Sequence, residues 1–181
     1  WLSPNDRVCL IISAMSRFWM RQDRVIPPLV DYLRDECGIP EDHVTIIVAN
    51  GTHDGGDEKE LRTLVTDAVY ERVRVENHDC EAPDLVYLGT TPYGTPVSIN
   101  RTAAEADLVV CLGAVTHHVM AGFGGGRKSI LPGISGRETI FHNNAFSLDA
   151  AQLRSNPAIG NGVLKGNPLH EDIAMSINSC A

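Results

Sequence analysis

The chain has 181 residues, 43% of them hydrophobic and 21% charged, and a net charge of −8. That length suits one domain with a real core, burying roughly 70% of the surface that the unfolded chain exposes. The acidic balance argues against a nucleic-acid-binding or anionic-membrane face, and no apolar run approaches the ~20 residues of a membrane span. No secretory leader is read at the start. Five cysteines (Cys9, Cys37, Cys80, Cys111 and Cys180) are odd in number, dispersed and never in C-x-x-C, which predicts free thiols in a reducing, cytoplasmic setting. The chain starts at Trp1 without Met and is expected to be one domain, 1–181, of a longer protein.

In chain order, "RVCLIIS" (residues 7–13) is a short apolar run suited to a strand buried on both faces. Pro27 and Pro28 then open a helix with Leu29, Val30, Leu33 and Cys37 on one stripe, closed by Gly38. A second buried strand lies in "HVTIIVANGTH" (43–53) and runs into a loop. Asp57 and Glu60 have capping-box spacing for a helix that places Leu61, Leu64, Val65, Ala68 and Val69 together. Strands are predicted in "VRVENHD", "LVYLG" and "PVSIN", followed by one helical turn capped by Thr102 and Glu105. The strongest strand pattern is "DLVVCLGAV" (107–115).

Strands alternating with helical patterns predict an α/β fold, Rossmann-like, with a mostly parallel sheet flanked by helices. Ligands of such sheets sit outside the carboxyl ends of the strands. Three segments should therefore converge: "SAMSR" (13–17), "NGTHDGG" (50–56) and "THHVMAGFGGGRK" (116–128).

The glycine run "GFGGGRKS" is neither nucleotide motif. A P-loop needs Gly before its Lys, and Arg127 stands there; G-x-G-x-x-G fails from both Gly122 and Gly124. Successive glycines still favour a concavity of backbone N–H groups for a phosphate or carboxylate, so Gly124, Gly125, Gly126 and Arg127 are candidate anion ligands. A mobile structural loop is the competing account. Lys128 is a solvated surface charge in most contexts, but beside such a nest it can pair with an anion or, if its pKa is depressed, act as a nucleophile. His53 follows a buried strand at the ligand edge. His117 and His118 point apart if extended, so one at most faces the site. His43, His78 and His170 lack such context and are expected to be structural. No H-E-x-x-H, cysteine cluster or G-x-S-x-G is present.

"HVMAGFGGGRKSILPGISGRETI" closely resembles the signature of the lactate racemase family, whose members use a nickel-pincer nucleotide. "GTH" (51–53) and "NPLHEDI" (167–173) resemble further motifs in the same order, so the resemblance covers essentially the whole chain. It implies an N-terminal, cofactor-binding domain whose C-terminal partner domain, carrying substrate-binding residues that include a lysine, lies outside this sequence. By resemblance, Lys128 is the lysine joined to the pincer nucleotide through a thioamide, made by dedicated cofactor-synthesis enzymes. His53 and His118 match the acid–base pair that works on opposite faces of a small 2-hydroxy acid while a hydride moves to the cofactor's pyridinium ring and back. Imidazole suits that work, with an unperturbed pKa of about 6.5. Ser16 and Arg17 fall in the loop that contacts the nucleotide phosphate or the substrate carboxylate. The implied activity is racemisation or epimerisation by an isomerase.

The sequence departs from the family pattern at four places. Ala14 replaces an aspartate, Phe18 a proline, and Asp54 follows His53 where arginine is common. "ETIFHNN" puts Asn144 at the position of the nickel-binding histidine. Asparagine is a poor ligand for a borderline divalent ion. His142 is the candidate replacement, yet two residues along a helix is about 200° around its axis, so only an irregular turn would let it substitute. Two alternatives follow: a relative that lost nickel and handles another substrate or reaction, and a non-catalytic phosphate- or nucleotide-binding module.

Overall fold

The computed structural model describes residues 2–178, so Cys180 lies outside the described residues. Its centre is a four-stranded parallel sheet. Strand β1 (Val8–Ser13) pairs on one side with β2 (Val44–Ala49), which pairs with β3 (Arg74–Asn77). The sequence "VCLIIS" is apolar throughout because both faces of β1 are covered. Val8, Leu10 and Ile12 face helices α1 (Ile26–Asp35) and α2 (Glu58–Val65), while Cys9 and Ile11 face the opposite layer with Ile47, Val97, Ile99 and Ile134. Each such aliphatic side chain contributes about 1.5–3 kcal/mol on burial.

Helix α1 follows its predicted stripe, with Ile26, Val30 and Leu33 buried and Gly38 beyond it at φ 71°. The Asp57 side chain caps α2, accepting from Glu60 N at 2.9 Å. The single helix predicted there is in fact two. Thr66 turns the backbone to φ 78°, and a short α3 (Asp67–Tyr70) follows at a new angle. Arg62 bridges the break, pairing with Glu58 and Glu71 and stacking over the Tyr70 ring at 4.3 Å. The new angle buries Val69 and leaves Ala68 exposed, contrary to the stripe read from the sequence.

Strands β4 (Val86–Thr90) and β5 (Pro96–Ile99) form an antiparallel hairpin outside the main sheet. The turn α4 (Arg101–Ala104) is capped by Asn100, whose side chain accepts from Ala103 N, and not by Thr102. Strand β6 (Leu108–Cys111) pairs with β1 on the side away from β2 and forms a half-buried edge, shorter than its apolar run suggested. The sheet order is therefore β3-β2-β1-β6. The chain winds one way from β1 to β3 and the other way to β6, so the crevice at a topological switch point opens between β1 and β6.

A small hairpin, β7 (His117–His118) with β8 (Gly122–Phe123), follows. A 3-10 turn at Gly126–Ser129 leads to α5 (Arg137–Ala145), and α6 (Pro168–Asn178) packs beside it. Ala121, Leu131, Ile140, Leu169 and Ile173 form the apolar contact beneath this layer. Cys9, Cys37, Cys80 and Cys111 are free, with Cys9 and Cys80 buried. No helix among the described residues is long and apolar enough to cross a membrane.

Candidate active site

The three loops predicted to meet do meet. A cavity of about 300 Å³ opens at the carboxyl ends of β1, β2 and β6, lined by Ser16 and Arg17 after β1, His53 after β2, and His118, Gly125 and Lys128 after β6. Among the described residues no aspartate or glutamate lines it. In a chain of net charge −8, this pocket carries only positive and neutral side chains.

Each loop is held by its backbone. His53 N donates to Asn50 O at 3.0 Å. Asn50 is buried and donates through Nδ2 to Asn77 Oδ1 at 3.0 Å and His78 O at 3.4 Å, tying the His53 turn to the end of β3. Gly125 has φ 77°, and a Cβ there would lie 2.8 Å from the Ala114 carbonyl oxygen, so glycine alone fits that crossing. His118 Nδ1 accepts from the backbone N–H groups of both Met120 and Ala121, at 3.1 Å each. The opposite ring nitrogen, Nε2, lies 3.1 Å from Lys128 Nζ.

This crowding of cations in a half-closed pocket governs the ionisation. Burial, then the neighbouring Lys128, Arg17 and Arg127 charges, push the His118 pKa down to about 4. Burial, then Arg17 and Arg127, push the Lys128 pKa down to about 8. His118 is held neutral near pH 7, and Lys128 gives up its proton more readily than an ordinary lysine.

The predicted anion nest is only partly realised. Gly124 and Gly125 line the cavity, but Gly124 N already donates to Thr116 O at 2.7 Å. Gly126 and Arg127 lie outside the lining; the Arg127 guanidinium donates to the carbonyls of Ala121 (2.9 Å) and Phe123 (3.2 Å) and pins the β7–β8 hairpin. Its closeness to the site is electrostatic. His117 points away and packs on the Phe123 ring at 5.2 Å.

Asn144 lines the cavity one helical turn after Ile140. His142 does not, because α5 is regular there and the ring points to the β4–β5 side, where Nδ1 bonds Thr95 Oγ1 at 2.8 Å. Among the described residues no group of three His, Cys, Asp or Glu side chains is arranged to hold a metal ion. Sequence reasoning placed Asn50 in a converging segment without giving it a role, and missed Met20, Ser129 and Pro132 as lining residues. Asn50 was findable as the polar residue ending a buried strand; the other three reach the pocket only through the way the loops cross.

The likenesses to known proteins agree with this geometry. Residues 1–155 match the family described as the lactate racemase N-terminal domain. The chain is 35% identical to the lactate racemase of Thermoanaerobacterium thermosaccharolyticum over 149 residues and 32% identical to that of Lactiplantibacillus plantarum over 150, in each case 82% of this chain. It spans 33% and 34% of those proteins, about a third of their length. The structure of the T. thermosaccharolyticum lactate racemase apoprotein superposes with a TM-score of 0.84 at 30% identity, covering 97% of this chain and 41% of that one. A Thermotoga maritima protein shares the fold, with a TM-score of 0.72 at 23% identity over 96% of this chain and 43% of its own. With 155 of its 181 residues matched to the family's N-terminal domain, this chain belongs to the lactate racemase family.

Proposed function

We propose that this chain is the cofactor-binding part of a longer enzyme that racemises or epimerises a small 2-hydroxy acid, with Lys128 as the attachment point of a pincer nucleotide. The observation that supports this best is the meeting of Lys128, His118, His53 and Arg17 in one acid-free cavity from three separate loops. The residues fit the organic part of such a group. Lys128 presents an amine with a lowered pKa, and Arg17, Ser16 and Gly125 offer charge and polar backbone for phosphate or carboxylate. A pincer nucleotide held there would supply the hydride-accepting ring, which no side chain can provide.

The chain's own residues do the proton work. Arg17 holds the substrate carboxylate and so fixes which faces of C2 meet the two histidines. One histidine takes the proton of the 2-hydroxyl as it becomes a carbonyl, and the other gives its own proton to that oxygen when the alcohol is re-formed. His118 exchanges its proton at Nε2, since the Met120 and Ala121 N–H groups occupy Nδ1. Burial suppresses protonation of His118 most, and with Lys128 free the cation beside it adds to that. A thioamide at Lys128 is uncharged, so attachment removes that brake and returns His118 toward the range useful near neutral pH.

The metal fit is weaker. Asn144 offers a carboxamide where the family pattern has imidazole, and His142 is turned to Thr95. That favours, as a second reading, a relative that works with nickel weakly held or lost. The test is intact mass, peptide mapping and nickel analysis of the full-length protein made alongside the cofactor-synthesis enzymes. A mass increment at Lys128 with 2-hydroxy acid racemisation is expected. An unmodified Lys128 sinks the covalent-cofactor reading and leaves an anion-binding module.

A further inference from the structure

The hydrogen bonds around His118 fix more than its orientation. Two backbone N–H groups point at Nδ1, so that nitrogen carries a lone pair and the ring proton of the neutral imidazole sits on Nε2. At 3.1 Å, Nε2–H then faces Lys128 Nζ as a donor. An ammonium has no lone pair to accept it. The contact is thus satisfied as a hydrogen bond in the fraction of molecules whose Lys128 is a neutral amine. Above about pH 8 that form dominates, and at pH 7 about one Lys128 in ten is neutral, some 300-fold more than for an ordinary lysine. The surroundings supply the rest of a carbonyl-trapping site: a cavity of about 300 Å³, Arg17 among its lining groups, and no carboxylate to repel an anion.

We propose that Lys128, while its amine is uncapped, is a Schiff-base-forming residue that captures small 2-oxo acids in this cavity. Nζ attacks the C2 carbonyl carbon; the C–N bond forms as the carbonyl π pair moves to oxygen. Both hydrogens of the amine leave with that oxygen as water, giving the imine, with no oxidant or reductant consumed. Arg17 pairs with the carboxylate and so selects oxo acids over neutral aldehydes. Release of the lone pair requires only that Nζ turn from His118, at the cost of one hydrogen bond. This rests on the functional reading only in that attachment of a cofactor at Lys128 would end the trapping.

The chain's three lysines, Lys59, Lys128 and Lys165, provide an internal comparison. The full-length protein made without cofactor-synthesis enzymes is treated with pyruvate and borohydride at pH 7, and the reduced adduct is mapped by peptide mass. The expected result is labelling of Lys128 in excess of Lys59 and Lys165 by about tenfold or more. Arg17→Met is expected to lose labelling by pyruvate while keeping labelling by propionaldehyde, which separates a lost carboxylate partner from a collapsed pocket. Absence of a Lys128 adduct, or equal labelling of all three lysines, overturns the proposal. Cofactor found at Lys128 in co-expressed protein alongside no trapping sinks this inference alone. Trapping at a Lys128 that never acquires cofactor sinks the racemase reading and leaves this one standing.

Discussion

His142 and Asn144 stand two residues apart on α5 and serve different surroundings. The His142 ring bonds Thr95 Oγ1 at 2.8 Å and meets Phe146 edge-on at 5.8 Å, whereas Asn144 lines the cavity. The imidazole therefore cannot reach the cavity without unwinding the helix. Asn144→His in the cofactor-loaded full-length protein is expected to raise nickel content, with nickel affinity improved by about tenfold or more as a carboxamide gives way to imidazole. Elemental analysis after dialysis reads this directly, and His142→Ala should leave nickel content unchanged.

Lys128 and His118 share one electrostatic account. Removing the lysine charge by Lys128→Met should raise the His118 pKa from about 4, though not to the ordinary 6.5, because burial is the largest cause of the depression. Imidazole C–H shifts followed by NMR across pH 3 to 8 measure it. An unmoved titration would mean that Lys128 does not sense His118.

The same substitution bears on stability, and the sign follows from the direction of the shift. Lys128 releases its proton near pH 8 in the folded chain, while the unfolded chain keeps it to about 10.5. Below pH 8 the unfolded state is favoured by the full difference, and the cost fades as pH rises from 8 toward 10.5. Lys128→Met should accordingly stabilise the protein at pH 7 by on the order of 1 kcal/mol, discounted for solvent screening, and lose that advantage above pH 10. Urea titrations at pH 7 and 10 compare the two.

Asp172 presents the opposite case, a fully buried carboxyl with its hydrogen-bond partners in place. Thr91 and Thr95 hydroxyls donate to it at 2.5 and 2.7 Å, and Asn143 Nδ2 at 2.8 Å. Asp172→Ala removes the acceptor shared by three buried donors and should lower stability by about 2 kcal/mol or more. Because Asn143 precedes Asn144, the lesion should also loosen the cavity wall, seen as faster hydrogen exchange along α5.

The site was legible in the sequence where strand order alone decides it. Ser16, Arg17 and His53 lie within four residues of a strand end and His118 within seven, and a parallel sheet gathers strand ends on one side whatever the loops do; Lys128 comes only after the β7–β8 hairpin and is brought back by it. What escaped depended on contacts between distant segments. Arg127 looks like an anion ligand by its neighbours, but the β7–β8 hairpin folds its own carbonyls onto the guanidinium. Thr66 sits in a helical pattern, and only the tertiary pull on Val69 and the Arg62–Tyr70 stack reveal the break. The β4–β5 pair reads like two more sheet strands, yet sheet membership is not encoded in a strand's own residues.

The two histidines reach the cavity from strands on either side of β1. Their loops are thus anchored two strand spacings apart, roughly 10 Å, a distance set by backbone hydrogen bonding rather than by any side chain. A reacting carbon with its hydroxyl and hydrogen can be spanned by that gauge whatever substituent it carries. On the proposed reading the sheet would act as a fixed jaw for one stereocentre, and the choice of which acid enters it would fall to parts of the enzyme that can vary without disturbing the grip.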